Sequence, residues 1–374
     1  MTAGSELDRL LDEATALPAV PAAAAAAYAS RCERLAEQVD KRIEAHLGLR
    51  EALSRVPAEV RRVNHRNHAR FMASVLTLGA WEVMVRTVVW VYRSYQARGL
   101  PADYFPCVVE SFLEAVQSEL PPDAAAAVAP AYRFLRKHHS DFVALAASSS
   151  PPPRGTPSPW YDRFLSALLR SDMPAVLSLA REAVTDRTAV VPFYLETIGP
   201  AMEEVGRLWE TGRISTAQEH IATAMVGRAM AALYERHILG TPRRGRAVVA
   251  CATGEFHELG ARMVADLLEM DGWDVRYAGA DVPVENFHLL CSPPPFLVAL
   301  SASMYFHVPR VRDIIAALRS DPTLAGTRII VGGRAFSDQP ELPRRIGADA
   351  WGASAEDAVR LARSWWEEAQ AGAR

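Results

Sequence analysis

A loop in the last third of the chain places a carboxylate two residues before an imidazole and a glycine three residues after it. The loop reads Glu255-Phe256-His257-Glu258-Leu259-Gly260. Imidazole is a good ligand for a transition metal, and a carboxylate on its other ring nitrogen fixes the tautomer and raises its basicity. Glycine allows a large group to approach the backbone. The pattern predicts a metal-binding His257 supported by Glu255, although alone it is weak and more typical of chance or a solvated loop.

Two other short segments could border the same site. Ser301-Ala302-Ser303 follows a predicted strand, and Gly332-Gly333 follows the next one. Taken singly, these segments are typical of a plain strand end and a plain turn. Together they predict a slot without bulky side chains, deep enough for a nucleotide-like tail.

The elements that must position these residues alternate between strand and helix. Five short apolar strands are predicted at residues 246–252, 274–277, 296–300, 328–331 and 348–351, with a helix over 257–270 after the first. This alternation is typical of a parallel sheet covered on both faces, an α/β flavodoxin-like (Rossmann-like) fold. With the strand order 2-1-3-4-5, ligands bind beyond the carboxyl ends of the strands. Residues 245–374 are therefore predicted to form one α/β domain.

Everything before residue 240 is predicted to be helical, apart from one linker. Residues 148–159 are rich in Pro and Ser and separate a helical region at 1–147 from a four-helix region at 160–240. In the first region, one helix is predicted over 31–49, and another begins near Pro57 and carries apolar residues from Phe71 to Tyr92. In the second region, Ser215 and Gln218 form a capping-box pattern.

Composition and charge exclude several classes of protein. The 41 basic and 44 acidic residues give a net charge of −3, which does not favour direct binding to nucleic acid. The 4 cysteines are scattered, as expected in the cytoplasm, and neither a secretory signal nor a membrane-spanning run is evident. We find no catalytic nucleophile, triad or P-loop, and therefore expect the chain not to be an enzyme by itself.

The last region resembles the cobalamin-binding domain. In that family, the histidine of a D/E-x-H-x-x-G loop replaces the dimethylbenzimidazole as lower ligand to cobalt, and the displaced nucleotide tail enters a slot. The resemblance implies His257 as the cobalt ligand and Glu255 as its partner. The other residues that it implies for cofactor binding are Phe256, Gly260, Ser301, Ser303, Gly332 and Gly333.

The four-helix region is similar to the cap that covers the upper face of cobalamin in this family. Trp209, nine further residues and Glu219-His220 match the W-x(9)-E-H pattern of cobalamin light sensors. The resemblance implies that these three residues enclose the adenosyl group of adenosylcobalamin. One difference concerns the residue after the tryptophan, which is a histidine in light-responsive repressors and Glu210 here. These repressors also carry a helix-turn-helix domain of the MerR type, and we find nothing similar in this sequence.

The order of helical domain, cap and cobalamin domain resembles the photocobilins, in which a globin-like domain binds biliverdin. The resemblance implies an all-α globin-like domain at 1–147 with an apolar cleft for a bilin. Candidate bilin-binding residues are His65, His68, Trp81, Trp90, Arg136, His138 and His139. The alternative is that the tryptophans belong to the core and the basic residues to a solvated helix face.

These features favour a cytoplasmic light sensor that binds adenosylcobalamin and biliverdin. We expect a homo-oligomer whose state depends on light, an unknown downstream protein partner, and neither nucleic acid nor membrane as a direct partner. Two alternatives remain: a corrinoid carrier for a methyltransferase, and a cobalamin-dependent anti-repressor that sequesters a transcription factor.

Overall fold

A computed structural model describes residues 3–49, 53–54, 56–148, 158–337, 339 and 341–372. Most of the predicted linker, residues 149–157, lies outside the described residues. The chain divides into two compact units. Unit 1 is Met1–Pro152 with Arg207–Arg213, and unit 2 is Pro153–Gly206 with Ile214–Arg374. Within the described ranges, no helix is both long and apolar enough to cross a membrane.

Unit 1 is helical. Its helices are α1 Ala3–Thr15, α2 Ala22–Ala29, α3 Cys32–Ala45, α4 Ala58–Leu78, α5 Trp81–Gln96, α6 Tyr104–Glu119, α7 Pro122–Lys137 and α8 His139–Ala147. Aromatic side chains form part of its core: the rings of Phe112 and Tyr132 stack with their centroids 5.7 Å apart. The helical class is confirmed, while the globin-like assignment stays a prediction.

The single helix predicted from Pro57 to Tyr92 is wrong, because Gly79 ends α4. Gly79 has a φ of 61°, in the left-handed region, and its N–H bonds to the carbonyl oxygen of Val75. This is a common way for a helix to end, since glycine adopts positive φ without steric cost. The chain restarts at Trp81, so the apolar face of the pattern is divided between two helices.

The cap region begins unit 2. Its helices are α9 Tyr161–Leu169, α10 Met173–Ala183, α11 Gly199–Glu210 and α12 Thr216–Leu233, with a π-helical turn Phe193–Ile198 leading into α11. The Asp172 side chain caps α10, and Ser215 with Gln218 forms the predicted capping box of α12. The last turn of α11 belongs to unit 1.

The rest of unit 2 is a five-stranded parallel sheet with helices. The strands are β1 Arg246–Cys251, β2 Asp274–Gly279, β3 Leu297–Ser301, β4 Arg328–Gly332 and β5 Ala350–Gly352. The helices are α13 Leu259–Met270, α14 Val308–Ser320 and α15 Ala355–Gly372, with helical turns at Phe287–Leu290 and Leu342–Arg345. The strand order is β2-β1-β3-β4-β5, which confirms the predicted order. The ends of β1, β3 and β4 are therefore neighbours.

One hydrophobic core joins the cap helices to the sheet. Phe164, Tyr194 and Met230 of the cap belong to the same buried cluster as Leu268 and Trp273. The cap helices of unit 2 are thus packed onto the sheet, because they share the apolar surface that each would otherwise expose to water.

Candidate functional site

Glu255 lies at the centre of the loop that follows β1. Its carboxylate is buried and accepts hydrogen bonds from the backbone N–H groups of Ser303 at 2.6 Å and Met304 at 3.0 Å. It also accepts from Nδ1 of His257 at 2.6 Å and from the backbone N–H of His257 at 2.9 Å. Burial would raise the pKa of Glu255, but the bonds from His257 and Met304 lower it to about 2. The carboxylate is therefore ionised at neutral pH and links the β1 and β3 loops.

His257 lies just before the first turn of α13, and its side chain is accessible to solvent. Its side chain is 63% exposed. The hydrogen bond with Glu255 raises the pKa of His257 despite partial burial, and the nearby carboxylate of Glu219 acts in the same direction. Since Nδ1 is bonded to Glu255, Nε2 is the ring nitrogen that a metal could use. Phe256, beside it, is 70% exposed.

Asp281, in the loop after β2, forms hydrogen bonds with the loop that carries His257. It has a positive φ of 50°. Its Oδ1 accepts a 2.7 Å bond from the backbone N–H of Gly254, and its own N–H donates to the carbonyl oxygen of Glu255 at 3.0 Å. Asp281 is not among the residues predicted from the sequence to bind the cofactor. The available signal was an aspartate at the end of a strand, which tolerates positive φ better than most residues.

A cleft of about 190 Å³ opens at the carboxyl ends of the strands. Its walls come from β3, β4, α13 and the start of α15. Six of the residues predicted to bind the cofactor line this one cleft: His257, Gly260, Ser301, Ser303, Gly332 and Gly333. The structure therefore brings together the histidine, serine and glycine segments, which are separated by up to 76 residues in the sequence.

The glycines of this cleft serve different purposes. A Cβ at Gly260 would have no neighbour within 4 Å among the described residues, so its absence leaves open space. Gly333 has a φ of 96°, and a Cβ there would lie 2.3 Å from the carbonyl oxygen of Ala302. A Cβ at Gly332 would lie 3.3 Å from the carbonyl oxygen of Gly352. Folding thus requires glycine at 333, whereas only a ligand would require it at 260.

Family models match the two parts of unit 2. The B12 binding domain model matches residues 245–360, and a second B12 binding domain model matches residues 160–234. These two regions are B12-binding domains. The α/β domain and its cap therefore account for the binding of cobalamin by this chain.

Two relatives are similar to part of this chain. Dimethylamine corrinoid protein 1 of Methanosarcina acetivorans is 27% identical over 173 residues, covering 44% of this chain and 78% of that protein. The HTH-type transcriptional repressor CarH of Myxococcus xanthus is 29% identical over 204 residues, covering 54% and 67%. The Methanosarcina barkeri monomethylamine corrinoid protein structure aligns with a TM-score of 0.48 at 23% identity, covering 54% and 96%.

The B12-binding domains fit cobalamin by the chemistry of their donors. Cobalt in a corrin brings its own ring nitrogens and needs one ligand from the protein below. His257 offers one accessible imidazole nitrogen with a carboxylate behind the other, an arrangement typical of metal-bound histidines. The cleft beside it is narrow and bordered by small residues, as a nucleotide tail requires.

The three residues predicted for the upper face lie in different units. Glu219 and His220 are in the first turn of α12, in unit 2, where Oε2 of Glu219 lies 2.6 Å from Nδ1 of His220. The His220 side chain is 74% exposed. Trp209 belongs to unit 1, where its ring stacks on Trp90 with centroids 6.4 Å apart.

Two histidines predicted for the bilin are bonded to carboxylates. His65 is buried, with Nδ1 2.5 Å from Oδ1 of Asp40 and Nε2 2.7 Å from the hydroxyl of Tyr104. His138 is also buried: its Nδ1 lies 2.7 Å from Oδ2 of Asp141, and its Nε2 lies 3.0 Å from Oε2 of Glu13. Both imidazoles therefore already have carboxylate partners within unit 1, and their role in binding a bilin stays a prediction.

His68 differs from both. Its Nε2 is buried and has no hydrogen-bond partner among the described residues. Its ring packs on Phe112 and Tyr132, with centroids 4.6 Å and 5.9 Å apart, and burial lowers the pKa of His68 to about 3. A neutral imidazole nitrogen of this kind can still form a hydrogen bond with a ligand.

The remaining candidates are spread over unit 1. Trp81 is buried at the start of α5, and the guanidinium of Arg136 lies 2.5 Å from the carboxylate of Glu110. Nδ1 of His139 lies 3.0 Å from the hydroxyl of Tyr92. The role of all these residues in binding a bilin stays a prediction.

Proposed function

We propose that the protein is a light sensor that binds adenosylcobalamin, base-off, with His257 as the lower cobalt ligand. The observation that carries the proposal is the pair formed by buried Glu255 and accessible His257 at the mouth of the cleft. Such a pair presents one basic imidazole nitrogen at a defined place, which a cobalt ion with four corrin nitrogens can use.

In this proposal, different residues of the chain have different roles in binding cobalamin. Glu255 keeps the proton on Nδ1 of His257, so that Nε2 carries the lone pair. Gly260, Ser301 and Ser303 border the space for the nucleotide tail. Adenosylcobalamin supplies a cobalt–carbon bond that visible light breaks.

The resemblance to cobalamin light sensors supports the choice of the adenosyl form. Trp209, Glu219 and His220 have the spacing of the residues that enclose the adenosyl group in those proteins. The relative named a transcriptional repressor covers 54% of this chain, which also favours a regulatory role. We infer that light changes the contact between subunits and so the oligomeric state.

The test is an absorption spectrum and a size measurement, in the dark and after illumination. Purified full-length protein loaded with adenosylcobalamin should show a His-on spectrum that changes in green light, together with a change in mass by light scattering. Loss of the His-on spectrum in His257→Ala would support the ligand assignment. A spectrum and a mass that are unchanged by light would contradict light sensing.

A corrinoid carrier for a methyltransferase is the second candidate, favoured by the relatives named dimethylamine corrinoid proteins. A carrier should accept methylcobalamin, bind a methyltransferase and tolerate Trp209→Ala. A sensor should instead lose its adenosyl selectivity in that variant. An anti-repressor would share the photochemistry, and capture of a transcription factor in only one light state would distinguish it.

We further propose that unit 1 binds biliverdin, with His68 as a hydrogen-bonding residue. The buried Nε2 of His68 supports this, since a bilin pyrrole or carbonyl would give it a partner. Titration of the apo protein with biliverdin should produce a red-shifted absorption band that His68→Phe abolishes and His46→Phe retains. Absence of the band in the wild type would contradict the proposal.

A further inference from the structure

His257 lies between two carboxylate residues that are fixed by different parts of unit 2. Glu255, before it, is held by backbone N–H groups of the β3 loop. Glu258, after it, immediately precedes α13, and its carbonyl oxygen accepts the first hydrogen bond of that helix, 2.9 Å from the backbone nitrogen of Arg262. The position of Glu258 therefore determines where the histidine loop ends and the helix begins.

The carboxylate of Glu258 has two partners. The hydroxyl of Tyr277, on β2, lies 3.0 Å from Oε2 of Glu258 and 3.4 Å from its carbonyl oxygen. Burial raises the pKa of Tyr277 well above its usual range, so the hydroxyl keeps its proton and donates. Nη2 of Arg262 lies 3.4 Å from the other carboxylate oxygen, Oε1. Tyr277 and Arg262 therefore each contact one oxygen of the same carboxylate.

Arg262 has further contacts that restrict its own position. Its guanidinium carbon lies 5.7 Å from the centroid of the Tyr277 ring, within the range of a cation–π contact. Nη1 lies 3.4 Å from the carbonyl oxygen of Gly227 in the cap helix α12. The side chains of Arg262 and Glu258 are 27% and 33% exposed, so salt screens their attraction less than that of a fully exposed pair.

The cap helix α12 presents one face to this part of the site. Glu219, Thr223 and Gly227 are spaced four residues apart on that face, and the Thr223 hydroxyl donates a 2.9 Å bond to Oε1 of Glu219. The pKa of His257, raised mainly by the hydrogen bond to the carboxylate before it, is raised further by Glu219. The same face of α12 therefore approaches both His257 and Arg262.

We propose that Arg262 is a positioning residue for His257 and acts through Glu258. The proposal rests on the proposed function, in which His257 is the lower cobalt ligand. Tyr277 and the cap helix α12 hold the guanidinium in place. An arginine suits this role, because its planar group carries donors that point in several directions at once. Glu255 fixes the tautomer of the imidazole, whereas Arg262 fixes the end of the loop that carries it.

The first measurement uses the full chain without cofactor and follows the hydrogen exchange of residues 255–260. Exchange should speed up about three- to tenfold in Arg262→Gln, because Glu258 loses a charge-assisted contact. Arg262→Lys should give a smaller increase, since it keeps the charge without the planar group. Arg228→Gln changes an exposed arginine of α12 and should leave exchange unchanged.

Two results of this measurement would overturn the positioning role. One is unchanged exchange of the loop in Arg262→Gln. The other is an equal acceleration in β4, at residues 328–332, which would indicate a general loss of stability instead of a local effect. If Arg262→Gln does not fold, Tyr277→Phe takes its place, because it removes only the hydroxyl that binds Glu258. Unchanged loop exchange in that variant would overturn the proposal as well.

The second measurement is a double-mutant cycle of affinities for adenosylcobalamin. Arg262→Gln should weaken binding about three- to tenfold and reduce the His-on absorption, less than the loss of a group bonded directly to the imidazole. In the His257→Ala background it should have no further effect, because it acts through that ligand. Wild-type affinity in Arg262→Gln, or additive effects in the cycle, would overturn the proposal. Failure of the wild type to bind adenosylcobalamin would instead overturn the proposed function, on which the exchange experiment does not depend.

Discussion

Oε1 of Glu255 lies 2.6 Å from Nδ1 of His257, with the carboxylate buried and the imidazole exposed. Two backbone N–H groups from the β3 loop bind the other carboxylate oxygen. The imidazole is therefore oriented by the sheet before any ligand arrives, which reduces the entropy lost on metal binding.

Glu255→Gln should weaken cobalamin binding by about 10- to 100-fold, the usual effect of losing such a supporting carboxylate. A glutamine keeps the shape but has only one acceptor oxygen for the N–H groups that the carboxylate now serves. Spectroscopic titration of the apo protein with adenosylcobalamin measures the change.

His288→Ala removes an exposed histidine of unit 2 and is the control for that titration. Its affinity should equal that of the wild type. Equal affinity in Glu255→Gln would show that the carboxylate does not support the ligand.

Gly260→Leu and Gly333→Ala should separate binding from folding. A side chain at 260 enters the open cleft, so Gly260→Leu should keep the melting temperature and lose affinity for cobalamin. Gly333→Ala should lower stability by about 1–3 kcal/mol, because of its positive φ and the contact with Ala302. Thermal unfolding and cobalamin titration on the same samples give both quantities. Wild-type affinity in Gly260→Leu would exclude this cleft as the tail site.

Asp266 should make stability depend on pH. It is buried beneath the cap, where the hydroxyl of Tyr194 donates a 2.7 Å bond to it, and burial raises its pKa from 3.8 to about 6. The folded state therefore holds this proton more tightly than the unfolded state. The stability that the proton contributes is present in full below pH 3.8 and is lost as pH rises to 6.

Asp266→Asn removes the charge and keeps an acceptor for Tyr194. Relative to the wild type, it should gain on the order of 2–3 kcal/mol in unfolding free energy between pH 4 and pH 8. Urea unfolding at both pH values checks this, with the exposed Asp162→Asn as the control. A gain that is the same at both pH values would contradict the raised pKa.

Arg93→Gln should destabilise unit 1 by about 3–5 kcal/mol, because it leaves the buried Glu210 carboxylate without its cation. Adding Glu210→Gln should restore much of that loss. A double-mutant cycle of unfolding free energies measures the coupling, and purely additive effects would contradict it.

The sequence predicts the α/β domain well, because local patterns specify it. Apolar strands alternate with helices, and ligand-bearing loops in such a fold gather at one edge of the sheet. His257, Ser301 and Gly332 could therefore be placed around one cleft without coordinates. The capping box at Ser215 is likewise a local signal.

Other features depend on tertiary contacts that no short pattern reveals. Gly79 could equally lie within a helix or end one, and packing decides between them. The pairing of Arg98 with Trp209 joins residues 111 positions apart, so no local sequence pattern around either residue predicts the contact. The hydrogen bond between Asp281 and Gly254 could not be predicted for the same reason, since the two residues lie on different loops.

The division of α11 between the two units has a practical consequence for the design of protein fragments. A fragment beginning at Ser158 would retain Trp209 and Glu210 but discard Trp90, Arg93 and Arg98. In such a fragment the Trp209 ring would lose its stacking contact with Trp90 and its cation–π contact with Arg98. The helical region expressed alone would in turn leave Arg93 without its bond to Glu210 and Arg98 without its bond to Trp209. A chimaera that exchanges the amino-terminal helices should therefore exchange residues 207–213 with them.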